Sequence, residues 1–479
     1  MKNKFAIQVL KGTVSTTSGT MISTFIGFLN IMIATRVVSK EAMGVYLFLF
    51  VIVNFVLILC DMGLNISLTR ELSGSEGHRD IDNTINSVFI VKFIVIISLS
   101  FLIYSLKHFL VKTFNGSLNA EAINYLSIMI IFEGINLFYK SVLQGLKLFK
   151  KMAVSQIIIS ISNFIFILYL VVHSHYGIFG LVLSRLLSLT IGITFQFVVQ
   201  PLRIEFKFDV QRFKKLFIFG YTLGINNLFT VIFTRFAMFL IGAFLGPVAI
   251  AGYGVASKIP DGFSQIFESF RTVYFPSLSE LHLKNKSEEV KKVLNYSIKV
   301  ISFISLLATL IIFLFSKQIL QTLFSSTYVE YAPILSLLMA ALSLSFVGNI
   351  LGTTLVALGN SRLPMFINIV GMVVNVLSNL ILLKKFGLKG AAFAAMLSVS
   401  ATIPLNAFFV IRCGTGLKVW ELIRPFLFFI ACVSIYHFIF PEIFILKVSV
   451  VILFLAAAYF FHFNKNELKK IAHLFIQKS

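Results

Sequence analysis

The sequence predicts an all-α integral membrane protein with about fourteen transmembrane helices. Of its 479 residues, 58% are hydrophobic and 13% are charged, whereas in globular proteins roughly a quarter of the residues are charged. The apolar residues occur in runs of about 18 to 25, the length that an α-helix needs to cross a hydrocarbon layer of roughly 30 Å. Short segments also recur at a nearly constant distance along the chain, which indicates two similar halves.

The apolar runs place the spans along the chain. The basic N-terminal segment, residues 1–11, leads directly into the first run without a small-residue cleavage site, so we expect a retained span rather than a signal peptide. The spans are predicted at residues 14–36, 44–62, 88–106, 121–140, 152–172, 176–199, 214–243, 247–272, 292–315, 331–357, 364–383, 387–411, 421–440 and 444–462.

The basic residues predict the orientation of the chain. The formal net charge is +22, which in a soluble protein would suggest a nucleic-acid partner. Here the Lys and Arg residues lie mostly in short loops, with roughly three times as many on the side that holds both termini, and this is the positive-inside pattern. We therefore expect both termini to be cytoplasmic and expect no nucleic-acid partner.

An internal repeat predicts two lobes. Corresponding spans are six apart, an even number, so the two six-helix lobes have the same orientation and are related by an axis along the membrane normal. We expect one lobe in residues 1–200, a second in 201–412, and helices 13 and 14 with a basic cytoplasmic tail in 413–479. The matching segments are Tyr176–Leu181 with Phe386–Ala391, Leu146–Gln156 with Leu358–Asn368, and the turn before Tyr46 with the turn before Tyr253.

Ionisable side chains inside the predicted spans are the main functional signal. A charge at the bilayer centre is costly, so it is expected to face a wet cavity or a partner. Three deep cations, Arg185, Arg235 and Lys258, are predicted to line a cavity that attracts an anion such as a pyrophosphate, because the planar fork of Arg suits phosphate oxygens. The alternative is a structural ion pair inside one lobe. Further cavity candidates are Lys92, Lys299, Arg271 and Arg36, and candidates for ion coupling are Glu133, Asp261 and Glu268.

Two other patterns concern these candidates. Lys92 and Lys299 lie near cytoplasmic span ends, where extension of the side chain to the headgroups is the alternative to a cavity.

The eighth span carries a polar stripe with 3, 4, 3, 4 spacing, which places its members on one helical face. Pro260 and Gly262 interrupt the same span and are predicted to form a hinge, since interrupted helices point to transporter sites. A simple kink with a local Lys258–Asp261 pair is the alternative. The stripe consists of Lys258, Asp261, Gln265, Glu268 and Thr272.

The sequence lacks the motifs of an enzyme. Cys60, Cys413 and Cys432 include no close pair, and the histidines are scattered, so no metal site is expected. We expect no cofactor and no catalytic residue, since loops of at most roughly 25 residues leave no room for an extramembrane catalytic domain.

A short motif follows the second span. The chain reads Asp61-Met62-Gly63-Leu64-Asn65 and continues to Thr69-Arg70-Glu71-Leu72. With this motif, fourteen predicted spans, a duplicated lobe and a positive net charge, the chain resembles the Wzx-type O-antigen and capsule polysaccharide flippases. These belong to the multidrug/oligosaccharidyl-lipid/polysaccharide exporter superfamily.

The resemblance implies a function. Such a flippase translocates undecaprenyl-pyrophosphate-linked oligosaccharide repeat units from the cytoplasmic to the outer leaflet of the bacterial plasma (inner) membrane by alternating access, for cell-surface polysaccharide biosynthesis. The resemblance also implies coupling to H⁺ or Na⁺ and contact with membrane lipids. A polysaccharide polymerase and a chain-length regulator are its implied protein partners.

Two rival functions stay open at this point. The first is a cation-coupled multidrug or small-solute exporter, which would have an acidic central cavity. Its usual carboxylate on the first span is absent here, where the polar residues are Asn30 and Arg36. The second is a membrane glycosyltransferase or polysaccharide polymerase, which would need a large outer loop with catalytic groups.

Overall fold

The computed structural model of the protein describes residues 2–74, 78–114, 118–200, 208–360, 362–438 and 444–457. Within these ranges all regular secondary structure is helical. Eleven helical segments of the searched residues are long and apolar enough to cross a membrane. The prediction of an all-α multi-pass membrane protein is therefore confirmed, whereas the count of fourteen spans stays a prediction. The predicted basic tail beyond residue 462 lies outside the described residues.

The chain forms two compact units, each with its own packing. The first contains residues 1–255 together with 323–325, and the second contains residues 256–322 and 326–479. The first unit consists of α1 (Lys2–Val37), α2 (Lys40–Asp61), α3 (Leu64–Gly74), α4 (His78–Ser105), α5 (Lys107–Thr113), α6 (Ala120–Gly145), α7 (Phe149–Phe166), a π-helical turn (Ile167–His173), α8 (Gly177–Val199), α9 (Val210–Phe244) and α10 (Pro247–Ala256).

The second helix shows how local sequence sets the helix ends. It begins after Ser39, whose side chain accepts a hydrogen bond from the backbone N–H of Ala42 at 3.3 Å and so caps a free donor of the first turn. It ends in two residues with left-handed backbone, Met62 (φ 43°) and Gly63 (φ 79°). The Asp61–Asn65 motif is therefore the turn that connects α2 to α3.

This turn packs directly on the backbone of α9. A Cβ atom at Gly63 would lie 2.0 Å from the carbonyl oxygen of Gly220, and one at Gly224 would lie 2.4 Å from the carbonyl carbon of Met62. Such distances leave no space for a side chain, and Gly63 also has a positive φ that other residues rarely adopt. Gly63 of the motif and Gly224 of α9 are thus required by helix packing.

The second unit is built around α12 and α13. Its helices are α11 (Lys258–Leu283), α12 (Ser287–Leu323), a 3₁₀ turn (Ser326–Tyr331), α13 (Ala332–Ala357), α14 (Arg362–Phe386), α15 (Leu388–Arg412), α16 (Val419–Phe438) and α17 (Phe444–Ala457). Hydroxyl groups join α12 to α13, where Thr309 Oγ1 and Ser343 Oγ lie 2.5 Å apart and both are buried. Cys432 of α16 and Phe454 of α17 pack on Leu310 of α12.

The repeated segments share their backbone conformation. Lys147 and Gly359, 212 residues apart, both have positive φ, at 59° and 88°. After each of them the next residue donates its N–H to a carbonyl five residues earlier, at 2.9 Å. Gly177 and Gly387, 210 residues apart, have φ values of 55° and 57°. The segments therefore form equivalent turns, and the symmetry of the whole lobes stays a prediction.

The predicted spans differ from the helices in particular places. The eighth span, 247–272, is two helices, α10 and α11, which meet at Ser257. The short helices α3 and α5 were not among the spans. Helix α3 is amphipathic, since Leu64, Leu68 and Leu72 are buried at intervals of four residues while its other face is polar.

Candidate functional site

Arg185 of α8 forms an ion pair with Glu133 of α6. Its Nε lies 2.7 Å and its Nη2 lies 2.6 Å from the same carboxylate oxygen, Oε1 of Glu133. The guanidinium also lies 5.7 Å from the centre of the Phe50 ring on α2. The side chain of Arg185 keeps 22% of its surface exposed and that of Glu133 keeps 10%. The charges of Arg185 and Glu133 therefore compensate each other within the first unit.

Lys92 lies in a second polar cluster of the same unit. It is 3% exposed, and its Nζ donates to Asp61 Oδ1 at 2.7 Å and to Asn65 Oδ1 at 2.6 Å. Ser141 of α6 donates to the same Asn65 oxygen at 3.1 Å. The alternative that Lys92 extends to the headgroups is wrong, because its buried ammonium group is bound by Asp61 of α2 and Asn65 of α3.

The polar stripe of α11 lies on the exposed face of the second unit. Asp261, Gln265, Glu268 and Thr272 are exposed, and Lys258 is half-buried at the start of the helix. The opposite face holds the buried residues Phe267, Tyr274 and Leu278, which pack in the apolar core of this unit. The hydroxyl of Tyr274 lies 2.8 Å from Thr354 Oγ1 of α13 and so fixes the rotation of α11.

The interruption of this region lies earlier than its sequence predicts. Pro260 and Gly262 are both inside α11, and the break between α10 and α11 is at Ser257. A proline in the first turn is compatible with a helix, since its missing N–H would have no intrahelical partner there. The break lies within one turn of Pro260, whose ring nitrogen has no hydrogen to donate to the carbonyl oxygen of Ala256. An interruption is therefore present, and the part that Pro260 and Gly262 play in it stays a prediction. Their role as a hinge stays a prediction.

The other candidate cations have different surroundings. Arg235 of α9 is exposed in the first unit, whereas Lys299 of α12 is 8% exposed in the second. Arg36 donates from Nε to the carbonyl oxygen of Phe324 at 3.1 Å. Arg271 lies 3.3 Å from Glu268, one turn away on α11. The roles of all these residues in binding stay predictions.

Neutral polar residues were missed because only ionisable groups were ranked. Gln196 of α8 is 2% exposed, and its Nε2 donates to Ser155 Oγ at 2.7 Å and to Asn136 Oδ1 at 3.0 Å. Lys447 is buried in α17 and lies 5.6 Å from the Phe315 ring. The sequence signal for the buried neutral residues is an amide side chain inside an apolar run.

Eleven membrane-length helical segments in the described residues define a multi-pass membrane protein, and α11 is not among these segments. Residues 33–333 match the family described as polysaccharide biosynthesis protein. Because the match covers more than half of the chain, the protein belongs to that family.

Individual relatives and solved structures are distant but cover most of the chain. A protein of Haloferax volcanii named as a probable low-salt glycan biosynthesis flippase, Agl15, is 24% identical over 80% of this chain and 79% of its own length. A putative O-antigen transporter of Shigella flexneri is 24% identical over 81% of this chain and 94% of its own. The fold is similar to that of the lipid II flippase MurJ in an inward closed conformation, with a TM-score of 0.69, 16% identity, and coverage of 94% of this chain and 99% of MurJ.

Proposed function

We propose that the protein is a flippase that moves undecaprenyl-pyrophosphate-linked oligosaccharide repeat units from the cytoplasmic to the outer leaflet. The observation that carries this proposal is the exposed polar face of α11 in a membrane protein of a polysaccharide biosynthesis family. The names of the flippase and transporter relatives support it. Its place is the bacterial plasma membrane, with both termini in the cytoplasm.

The polar face of α11 requires water or polar groups beside it. Asp261 and Glu268 are exposed from the second unit, and charged side chains exposed to hydrocarbon would cost several kcal/mol. A glycan cannot cross hydrocarbon unaided either, because its hydroxyl groups would lose their hydrogen bonds to water. A wet path along this face would meet both needs while the polyprenyl chain stays in lipid.

Basic residues would hold the pyrophosphate on this path. Arg235 is the most accessible of the three leading candidates, because it is exposed. Arg185 would first have to share its guanidinium between the substrate and Glu133, to which it is bound. Lys258, at the start of α11, would supply a third positive charge. Secondary candidates are Lys92, Lys299, Arg271 and Arg36.

Alternating access would complete the cycle. The two predicted lobes, 1–200 and 201–412, would rock against one another with Pro260 and Gly262 as a hinge. An anion that moves outward gains roughly 2.3 kcal/mol per charge per 100 mV when the inside is negative. Coupling to H⁺ or Na⁺ would use Glu133, Asp261 or Glu268. The product would then pass to a polysaccharide polymerase and its chain-length regulator.

Reconstitution tests this proposal. The purified protein in liposomes should move a fluorescent undecaprenyl-pyrophosphate-linked oligosaccharide between leaflets, as read by loss of signal on addition of an impermeant quencher. Arg235→Ala should slow this movement, whereas Lys215→Ala, at an exposed position of the same helix, should not. Equal rates in protein-containing and empty liposomes would contradict the proposal. In cells, deletion should leave lipid-linked repeat units on the cytoplasmic face, and their appearance unpolymerised on the outer face would instead favour a polymerase.

A further inference from the structure

The polar side chains of the stripe on α11 follow one another at about the interval of the sugars in an oligosaccharide. Its five polar residues follow one another every three or four positions, from 258 to 272. One helical turn rises about 5.4 Å, so the stripe presents a polar side chain at roughly that interval over about 21 Å. This interval is about the length of one pyranose ring. A short oligosaccharide laid along the helix would therefore meet a new polar side chain at about each sugar.

The stripe and its neighbour Arg271 together carry no net charge. Glu268 lies 3.3 Å from Arg271, and Lys258 precedes Asp261 by three positions on the same helical face. The two acidic residues are thus matched by two basic ones. Beyond Lys258 the face offers a pyrophosphate no net attraction, since Asp261, Glu268 and Arg271 together carry one negative charge. A neutral partner with many hydroxyl groups is complementary to such a mixed row of donors and acceptors.

Apolar residues flank the stripe on the exposed side. Ile266 is 63% exposed and Val273 is 67% exposed, and each directly follows a polar member of the stripe, Gln265 or Thr272. Pyranose rings have one edge of hydroxyl groups and faces of C–H groups, so they need both kinds of surface. The exposed face of α11 offers the two side by side.

We propose that the exposed face of α11 from Asp261 to Thr272 binds the sugar part of the transported glycan and sets which sugars are accepted. This proposal rests on the proposed function, since it assigns the sugars and the pyrophosphate of one substrate to different residues. Gln265 and Thr272, which carry no charge, would be specificity-determining residues. The pyrophosphate would be held by Lys258, at the start of α11, and by Arg185 and Arg235.

The test compares two probes on the purified full-length protein. One probe is undecaprenyl pyrophosphate, and the other is undecaprenyl pyrophosphate that carries a neutral hexose tetrasaccharide. The wild-type protein should bind the sugar-bearing probe more tightly. Gln265→Leu and Thr272→Val should each weaken its binding about threefold to tenfold, the worth of one hydrogen bond, and should leave the affinity for the sugar-free probe within about twofold, since a hydrogen bond to sugar is absent there.

Controls separate this proposal from a general defect. Ser277→Ala removes an exposed hydroxyl of the same helix that is bonded to the carbonyl oxygen of Val273, outside the stripe, and it should change neither affinity. Gln265→Asn keeps the amide and should retain part of the preference for sugar. Equal losses for both probes, or no loss for either, would overturn the proposal. A protein that binds the sugar-bearing probe through α11 but does not flip it would leave this proposal standing and contradict the proposed function.

Discussion

Removal of the Asp61 carboxylate should destabilise the first unit strongly. Lys92 is 3% exposed, and its ammonium group is held by Asp61 at 2.7 Å and Asn65 at 2.6 Å. Asp61→Ala would leave this buried charge without its counter-ion, a change that typically costs about 3–5 kcal/mol. Because the Asp61 side chain is 18% exposed, water would screen part of the loss, and we expect about 3 kcal/mol, the lower end of that range.

The free energy of unfolding in mixed detergent micelles measures this effect. The double variant Asp61→Ala with Lys92→Met removes both charges and should recover most of the lost stability, because no buried charge is then left without a counter-ion. Glu71→Ala is the matched control: it breaks an exposed pair with Lys215 at 3.5 Å, worth at most about 0.5–1 kcal/mol. A single variant as stable as this control, or a double variant no better than the single, would refute the reasoning.

The remaining predictions concern packing and pairing. Gly63→Ala should lower the amount of folded protein in the membrane, because the new Cβ would lie 2.0 Å from a backbone carbonyl of α9, and normal levels in quantitative blots would contradict this. Arg185→Ala should destabilise the protein by about 3 kcal/mol through the uncompensated carboxylate of Glu133, and a double-mutant cycle with Glu133→Gln should show the two losses to be non-additive. Tyr274→Phe removes a buried hydrogen bond to Thr354 at 2.8 Å and should cost about 1 kcal/mol of stability. The flipping rate in liposomes should not change. A lower flipping rate with normal stability would count against a purely structural role.

The membrane fold was predictable because hydrocarbon imposes a simple length rule. Some apolar runs of membrane length became helices with closely matching ends, as for the predicted span 176–199 and α8 (Gly177–Val199). Helix α3 was not among the predicted spans because it is amphipathic and too short to cross a bilayer. Its buried leucines repeat at four-residue intervals, a weaker signal than a long apolar run.

The site was predictable only where its residues lie on one helix. The exposed row of α11 follows from 3, 4 spacing within a single element. The partners of Lys92 and Arg185 lie 31 and 52 residues away along the chain, on helices whose rotation depends on tertiary packing. The spacing of residues along the chain does not show which side chains on different helices form a pair. An ion pair inside one lobe was the stated alternative for Arg185, and its pairing with Glu133 follows that alternative.

Movement of lipid-linked glycan by the isolated protein tests the central claim most directly. Liposomes that contain only this protein and an undecaprenyl-pyrophosphate-linked oligosaccharide, labelled on its sugar, are treated with an impermeant quencher after a voltage is imposed. The account predicts faster exchange between leaflets than in empty liposomes, with a slower rate for Arg235→Ala. Exchange no faster than in empty liposomes, with the protein inserted and folded, would contradict it.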